Sequence, residues 1–244
     1  MTIALSLLGI FIGFASGFFG IGGGTLLVPI LIYLGFGIKA AIGISVMQMV
    51  FSSIFGSYVN FKHGMLKLDD GIFLGLGGFS GALLSGFIVK LMPDWVLMVV
   101  FASSLVMAMY KFFKAPASPS GPANESRLLL YLVGVFVGST AISIGIGGAL
   151  LLTPIMVGFL NYDIKRAVST GLFFVVFSSI SGFISMSYNG LIDYTSGLAL
   201  GFGSLLGVYF GAKQSHIIDK AKQKKLLLGL YLVLFILTVN KLLG

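Results

Sequence analysis

The sequence predicts an all-α integral membrane protein built from two inverted repeats, each with a glycine-broken re-entrant helix pair and three transmembrane helices. Three observations support this fold class: an apolar composition, a duplicated glycine-rich motif, and the distribution of the basic residues. The chain of 244 residues is 57% hydrophobic and only 9% charged. Several uncharged stretches exceed the roughly 20 residues that cross a bilayer. A soluble protein of this size has no interior large enough to bury so much apolar surface.

The duplicated motif is the clearest sign of internal repetition. Residues 20–29 (GIGGGTLLVP) and 145–154 (GIGGALLLTP) are identical at seven of ten positions. At an offset of 126, residues 51–56 (FSSIFG) and 177–182 (FSSISG) are identical at five of six. Duplicated, glycine-broken apolar segments are typical of membrane transporters built from repeats, in which the broken helices carry the binding site.

A single Pro/Ser-rich segment separates the two copies. It reads KAPASPSGPANE, and Pro and Ser at this density indicate a linker rather than a membrane span. We therefore expect transmembrane repeat 1 at 1–114, a cytoplasmic linker at 115–126 and transmembrane repeat 2 at 127–244. The two repeats together form one transport domain.

Eight apolar segments follow one another between the charged residues. Their approximate bounds are 3–36, 40–61, 71–89, 95–113, 128–160, 167–188, 194–212 and 226–243. The first is too long for one span, because residues 1–38 carry no charge and as one helix would rise about 57 Å, nearly twice a hydrocarbon core of about 30 Å. The fifth is similar, and each holds a glycine cluster near its middle, where Gly breaks a helix at low cost. Each is therefore either a long kinked helix or a re-entrant hairpin.

The basic residues distinguish these two arrangements. If all eight segments span the membrane, the Lys and Arg residues divide as 6 against 9 between its faces. If the first and fifth segments re-enter, the division becomes 12 against 3. Because cytoplasmic loops carry the excess of Lys and Arg, the re-entrant arrangement gives a defined orientation, with both termini outside and the 213–225 loop cytoplasmic. Each repeat then has three full spans, an odd number, so the repeats insert in opposite orientations.

The glycine breaks are the first candidate for a binding site. They comprise Gly22, Gly23, Gly24 and Thr25 in the first repeat and Gly147, Gly148 and Ala149 in the second. A helix that restarts at such a break has N–H groups without intrahelical partners and the positive end of its dipole at the same place, and both favour an anion. The alternative is close helix packing through small residues, which 35 glycines would also serve.

Polar side chains in the second and sixth segments are candidates for the rest of this site. They are Ser45, Gln48 and Ser52 in the second segment and Ser169, Thr170 and Ser178 in the sixth. The first three lie at i, i+3 and i+7 on one helix face. For the hydroxyls, interhelical hydrogen bonding explains the pattern equally well. Gln48 lies near the middle of its segment, where a primary amide needs several partners, so we expect it to line the substrate path.

The residue types that other functions require are absent or lie outside the spans. There is no Cys, and His63 and His216 stand apart in loops without ligand spacing, so we expect no metal, no cofactor and no catalytic residues. No ionisable side chain lies deep in a span, where a proton-coupled carrier keeps its relay. The lysine run at 220–225 lies beside the last segment and indicates contact with anionic lipid, and no nucleic acid.

At its glycine motifs the chain resembles the sulfite exporter TauE/SafE family of membrane proteins. The motifs are GFASG at 13–17, GIGGG at 20–24 and Val28-Pro29, with a second copy from 138 to 148 followed by Pro154. The resemblance covers essentially the whole chain. It implies a transporter of sulfite, sulfoacetate, other sulfonates or thiosulfate, located in the bacterial inner membrane. A related group of thiosulfate importers relies on cysteines, which this chain lacks.

The sequence and this resemblance together predict a carrier that exports a small anion past the paired glycine breaks. An inside-negative potential favours anion exit by about 2.3 kcal/mol per charge per 100 mV, so export needs no coupling ion. Two other functions stay open: a sodium-coupled carrier or ion channel that uses unwound carbonyls, and an intramembrane enzyme or assembly factor, for which the serines lack a nearby base. The expected partners are the small anion and the lipid bilayer, and a homodimer is left open.

Overall fold

The computed structural model describes residues 2–64, 66, 68–114 and 123–243, and over these residues its regular structure is all helix. The first half forms α1 (Thr2–Phe19), α2 (Gly24–Tyr33), α3 (Ile38–Lys62), α4 (Leu68–Ala82), α5 (Ser85–Leu91) and α6 (Asp94–Lys114). The second half forms α7 (Arg127–Ser143), α8 (Ala149–Gly158), α9 (Ile164–Tyr188), α10 (Tyr194–Ile217) and α11 (Lys220–Leu243). Most of the predicted linker at 115–126 lies outside the described residues.

The helices have the length and composition of membrane spans. Five stretches are long and apolar enough to cross a bilayer: Ile38–Lys62, Gly71–Leu91, Ile164–Tyr188, Tyr194–Ile217 and Ala221–Lys241. Shorter apolar helices accompany them, including both pieces of each glycine-broken segment. The prediction of an all-α membrane protein that crosses the bilayer several times is confirmed.

The predicted third segment, 71–89, lies within one stretch long enough to cross a bilayer, Gly71–Leu91, which a turn at residues 83–84 divides into α4 and α5. Two serines of α9 bond to backbone carbonyls at this turn. Ser181 Oγ donates to Phe79 O at 2.6 Å, and Ser185 Oγ donates to Leu83 O at 2.7 Å. Neighbouring hydroxyls that satisfy backbone carbonyls allow a helix to be interrupted inside a membrane.

The contacts between the halves repeat as the sequence does. Gly75 of α4 packs against the ring of Phe177 in α9, and at an offset of 126 Gly201 of α10 packs against the ring of Phe51 in α3. Such reciprocal contacts are those of two similar bodies related by a two-fold axis. The sequence duplication is thus matched by a duplication of packing.

Corresponding helices of the two halves point in opposite directions. Gly56, late in α3, contacts Leu172, early in α9, whereas Gly182, late in α9, contacts Val46, early in α3. The two helices therefore cross antiparallel. Because they occupy the same place in their repeats, this sense favours inverted insertion in a bilayer, which stays a prediction.

The path of α1 and α2 agrees with a re-entrant pair. α1 packs along α10 with residue numbers that rise together, and α10 packs along α3 in the same way, so all three point in one direction. The last helix, α11, contacts both ends of the pair. Gln223 Nε2 donates to Phe18 O at 3.0 Å, and Tyr33 Oη donates to Leu237 O at 3.1 Å. These two positions on α11 are about 21 Å apart, so α2 returns toward the side on which α1 began.

Much of the glycine content serves close helix packing. Along α1 and α10, and again along α4 and α7, backbone atoms of one helix stand where a Cβ of the other would lie. The glycines concerned are Gly9, Gly13, Gly17, Gly77, Gly81, Gly134, Gly138, Gly203, Gly207 and Gly211. This arrangement is typical of membrane helices that pack through small residues. The packing explanation therefore holds for these glycines, none of which belongs to the breaks.

Candidate substrate site at the paired glycine breaks

Both breaks have the same backbone conformation. Each carries three glycines with positive φ, namely Gly20, Gly22 and Gly23 at 68°, 77° and 81°, and Gly145, Gly147 and Gly148 at 73°, 75° and 80°. In this left-handed region a side chain costs about 1–2 kcal/mol, which explains the glycines. α2 and α8 begin directly after the last glycine of each set, and no side chain caps either N-terminus. Each helix therefore presents its first N–H groups at the break.

The two breaks meet in the interior of the molecule. Thr25 Oγ1 of α2 donates a hydrogen bond to Ile146 O, in the second break, at 3.2 Å. Ser45 Oγ of α3 donates to the neighbouring carbonyl, Gly145 O, at 2.8 Å. Gly24 packs on that same carbonyl and leaves no room for a Cβ. The structure thus places three predicted residues of the first repeat, Gly24, Thr25 and Ser45, against the backbone of the second break.

One apolar side chain from each half closes the space between the breaks. A Cβ on Gly22 would lie 3.0 Å from Val175 and 3.4 Å from Met49 Sδ, and Gly147 faces the same two side chains. Ser52 Oγ donates to Gly22 O at 3.2 Å. Met49 and Val175 were not predicted, because an apolar residue in an apolar segment carries no positional signal.

The amide of Gln48 lies directly on the first break. A Cβ on Gly23 would lie 2.7 Å from Gln48 Oε1 and 3.1 Å from Gln48 Nε2. The side chain is 0% exposed, and neither polar atom has a hydrogen-bond partner. A buried polar group without a partner costs about 1–3 kcal/mol. Gln48 is therefore an unpartnered amide held against the uncapped N-terminus of α2.

The second break lacks this feature. Phe174 of α9, which stands 126 positions after Gln48, packs its ring on Gly148. The N-terminus of α8 therefore faces an aromatic ring where that of α2 faces an amide. Both breaks present backbone N–H groups, but only at the first break does a polar side chain, the amide of Gln48, lie beside these groups.

The remaining predicted residues lie on α9 and make no hydrogen bond to either break within the described chain. Ser178 Oγ donates to Phe174 O, in its own helix, at 3.2 Å. Ser169 and Thr170 are buried in the second turn of α9, and Thr170 Oγ1 has no hydrogen-bond partner. The participation of these three hydroxyls in binding stays a prediction.

Charged side chains stay at the ends of the helices. Among the buried polar residues of the described chain none is Asp, Glu, Lys, Arg or His. Arg166 pairs with Glu125 at 3.0 Å and Lys39 with Asp94 at 3.8 Å, each pair joining helix ends. The positive potential at the breaks therefore comes from the helix N-termini rather than from a cationic side chain.

The two histidines lie closer together than the sequence suggests. His63 directly follows α3 and His216 lies in the last turn of α10, with ring centroids 5.1 Å apart, so the prediction that they stand apart in loops was wrong. The contact is between residues distant in the sequence, so no local sequence pattern predicts it. No group of three or more candidate metal ligands occurs in the part of the chain that is described.

Comparisons with known proteins agree on the class of protein. Residues 5–238 match the family model described as "Sulfite exporter TauE/SafE". The chain is 26% identical over 222 residues to the "Probable membrane transporter protein YdhB" of Bacillus subtilis (strain 168), covering 87% of this chain and 90% of that protein. It is 23% identical to the "Probable membrane transporter protein YunE" of the same organism, covering 96% and 94%. It is 29% identical to the "Probable membrane transporter protein MJ0441" of Methanocaldococcus jannaschii, covering 74% and 70%.

The family match spans nearly the whole chain and includes both glycine breaks. The relatives are similar over most of their own length, and their printed names agree with the apolar helices described above. The chain therefore belongs to the TauE/SafE sulfite exporter family and is a membrane transporter.

Proposed function

We propose that this transporter exports small sulfur-containing anions, such as sulfite, sulfoacetate or other sulfonates, across the bacterial inner membrane. The anion binds where the two glycine breaks meet, and the inverted halves move against each other to open this point to either side. The observation that carries the proposal is the unpartnered Gln48 amide on the uncapped N-terminus of α2.

An anion satisfies both features at once. The first N–H groups of α2 and the N–H₂ of Gln48 are donors, and the helix dipole places partial positive charge at the same point. Because no charged side chain is among the buried residues described, the site attracts an anion without holding it as a permanent ion pair. Weak, reversible binding is what a carrier requires.

The carbonyls at the breaks argue against a sodium site. A cation among unwound carbonyls needs oxygen atoms that are free to coordinate it. Here Thr25, Ser45 and Ser52 donate hydrogen bonds to the carbonyls of Ile146, Gly145 and Gly22. Each of those oxygens therefore already accepts a hydroxyl hydrogen bond and has only its second lone pair left for a cation. The arrangement favours an anion over the alternative of a sodium-coupled carrier.

The test is anion efflux from proteoliposomes loaded with labelled sulfite or sulfonate. We expect faster release when a potassium gradient with valinomycin makes the interior negative, because anion exit gains about 2.3 kcal/mol per charge per 100 mV. Transport that ignores the potential and demands a sodium gradient would contradict the proposal.

Two Gly→Ala variants locate the path in the same assay. Gly23→Ala adds a Cβ 2.7 Å from Gln48 Oε1 at a φ of 81°, so it should abolish efflux. Gly35→Ala introduces similar strain at a φ of 93° but has nothing within 4 Å, so it should leave efflux near the wild-type level. Equal efflux from both variants would show that the substrate does not pass the first break.

A further inference from the structure

The two unpartnered atoms of Gln48 indicate which hydrogen-bonding groups the substrate carries, in addition to its negative charge. A primary amide has two N–H donors and one carbonyl acceptor, and in this structure both Nε2 and Oε1 lack a partner. The conclusion does not depend on which terminal atom is nitrogen, because the two atoms are equally unpartnered. A fully deprotonated oxyanion carries acceptors alone, so it would satisfy Nε2 and leave the carbonyl oxygen buried without a donor.

Within the described chain no protein group donates a hydrogen bond to Oε1. A Cβ on Gly23 would touch Gln48 and, at 3.0 Å, the Cγ2 methyl of Ile12, which has no hydrogen to donate. The nearest hydroxyls on the same helix, Ser45 and Ser52, direct their hydrogens to carbonyls of the breaks. Oε1 therefore depends on a group that arrives with the substrate.

We propose that the substrate is a monoanion with its own hydrogen-bond donor: a protonated oxoanion such as hydrogen sulfite, or a sulfonate with a nearby hydroxyl. This inference rests on the proposed function. Its anionic oxygens accept from Gln48 Nε2 and from the first N–H groups of α2, and its O–H donates to Gln48 Oε1. The amide then has a partner at each end, and the cost of burying it is recovered on binding.

A substrate that carries its own proton also explains why no acidic or basic side chain is found among the buried residues described. A carrier without a buried ionisable side chain cannot bind and release a proton on the protein. If hydrogen sulfite is the transported species, its proton crosses on a substrate oxygen and no relay is needed. The charge moved remains one negative charge, so transport is still driven by the membrane potential.

The decisive experiment compares two sulfonates of equal size in the proteoliposome assay. Hydroxyethanesulfonate and propanesulfonate have the same number of heavy atoms and the same charge, and they differ by a terminal hydroxyl in place of a methyl. We expect wild-type protein to favour the hydroxyl compound by about tenfold, a factor that corresponds to about 1.4 kcal/mol. In Gln48→Met, which keeps the length of the side chain and removes both polar atoms, that preference should disappear.

A second measurement in wild-type protein does not depend on any variant folding. Sulfite efflux is followed while the pH inside and outside is changed together across the ionisation of hydrogen sulfite. The rate should follow the concentration of hydrogen sulfite and fall as the dianion forms. For the same reason sulfoacetate, a dianion without a donor, should be exported more slowly than hydroxyethanesulfonate.

The outcomes separate this inference from the proposed function. Efflux of both sulfonates at equal rates, or sulfite efflux that follows the dianion, would overturn the inference and leave the anion exporter intact. A hydroxyl preference that survives unchanged in Gln48→Met would also overturn it, because the donor would then be recognised elsewhere. Failure to move any sulfur oxoanion would contradict the proposed function itself and this inference with it.

Discussion

The two glycine breaks share one backbone and differ in the side chain that covers it. Both start a ten-residue helix after a glycine, with φ of 81° and 80°. Gln48 covers the first and Phe174, at the equivalent position, covers the second. Both copies have the geometry that exposes backbone N–H groups, and one copy has a polar amide beside them. Under the proposed function one polar centre suffices for a single small anion, because a second unpartnered amide would cost about 1–3 kcal/mol without binding anything further.

The hydrogen bonds between the breaks show the same asymmetry. Thr25 and Ser45 of the first half donate to carbonyls of the second break. Their equivalents in the second half, Leu150 and Gly171, have no hydroxyl to return these bonds. The first half therefore supplies the donors and the second half supplies the acceptors. The two copies are alike in shape and complementary in chemistry.

The largest effect is expected from the opposite orientation of the two halves in the membrane. His63 and Asn189 follow α3 and α9, the equivalent helices of the two halves, and the chain has no native Cys. In intact spheroplasts an impermeant thiol reagent should label Asn189→Cys completely and leave His63→Cys unlabelled until the membrane is permeabilised. The reason is that in the predicted topology the loop with His63 is on the face richer in Lys and Arg, which is cytoplasmic.

The control for this experiment is the Cys-free parent chain, which should show no labelling. Labelling of both variants from the outside would mean that the halves insert in parallel. In that case the two breaks could not approach the bilayer midplane from opposite sides.

Substitutions of Gln48 and of its equivalent Phe174 should have opposite effects, one on efflux and the other on stability. Gln48→Leu should lower efflux about 100-fold, because two substrate hydrogen bonds are lost, while the free energy of unfolding stays equal or rises. Phe174→Leu should do the reverse, with efflux nearly unchanged and unfolding easier by about 1–2 kcal/mol because a cavity forms. Efflux assays and thermal unfolding in detergent measure the two effects. Equal loss of efflux in both variants would make the breaks functionally symmetric.

The sequence predicts the breaks because glycine clusters and Pro are local patterns, and their recurrence 125 residues later is visible by comparing the sequence with itself. It could not predict which polar atoms stay unpaired, because that depends on contacts between helices distant in the chain. Ser178 illustrates this: it is the equivalent of Ser52, yet its hydroxyl bonds to the carbonyl four residues earlier, an option open to any helical serine. The turn between α4 and α5 is likewise not visible in the sequence, since its contacts are with serines of α9, far along the chain.

A smaller effect on efflux and stability is expected where the glycine clusters of the two breaks differ, at Gly24 and Ala149. Gly24 packs on the Gly145 carbonyl and on Ser45, and its counterpart in the second half is Ala149. Gly24→Ala should push the breaks apart, with a loss of about 1–3 kcal/mol in stability and about tenfold in efflux. Ala149→Gly should cost no more than about 1 kcal/mol, because it removes a methyl and adds backbone freedom. If Gly24→Ala lowered stability and efflux no more than Ala149→Gly, the close approach of the two breaks would not be needed for either property.

The smallest effect should come from one hydroxyl in each short helix. Thr25 and Thr153 are both fully buried, in α2 and α8, but Thr25 Oγ1 donates to Ile146 O while Thr153 Oγ1 has no partner. Thr→Val keeps the shape of the side chain. Thr25→Val should therefore lower the free energy of unfolding by about 1 kcal/mol, and Thr153→Val should leave it unchanged or raise it. Reversible unfolding in mixed micelles resolves the difference. An equal loss in both variants would show that the hydrogen bond from Thr25 does not hold the breaks together.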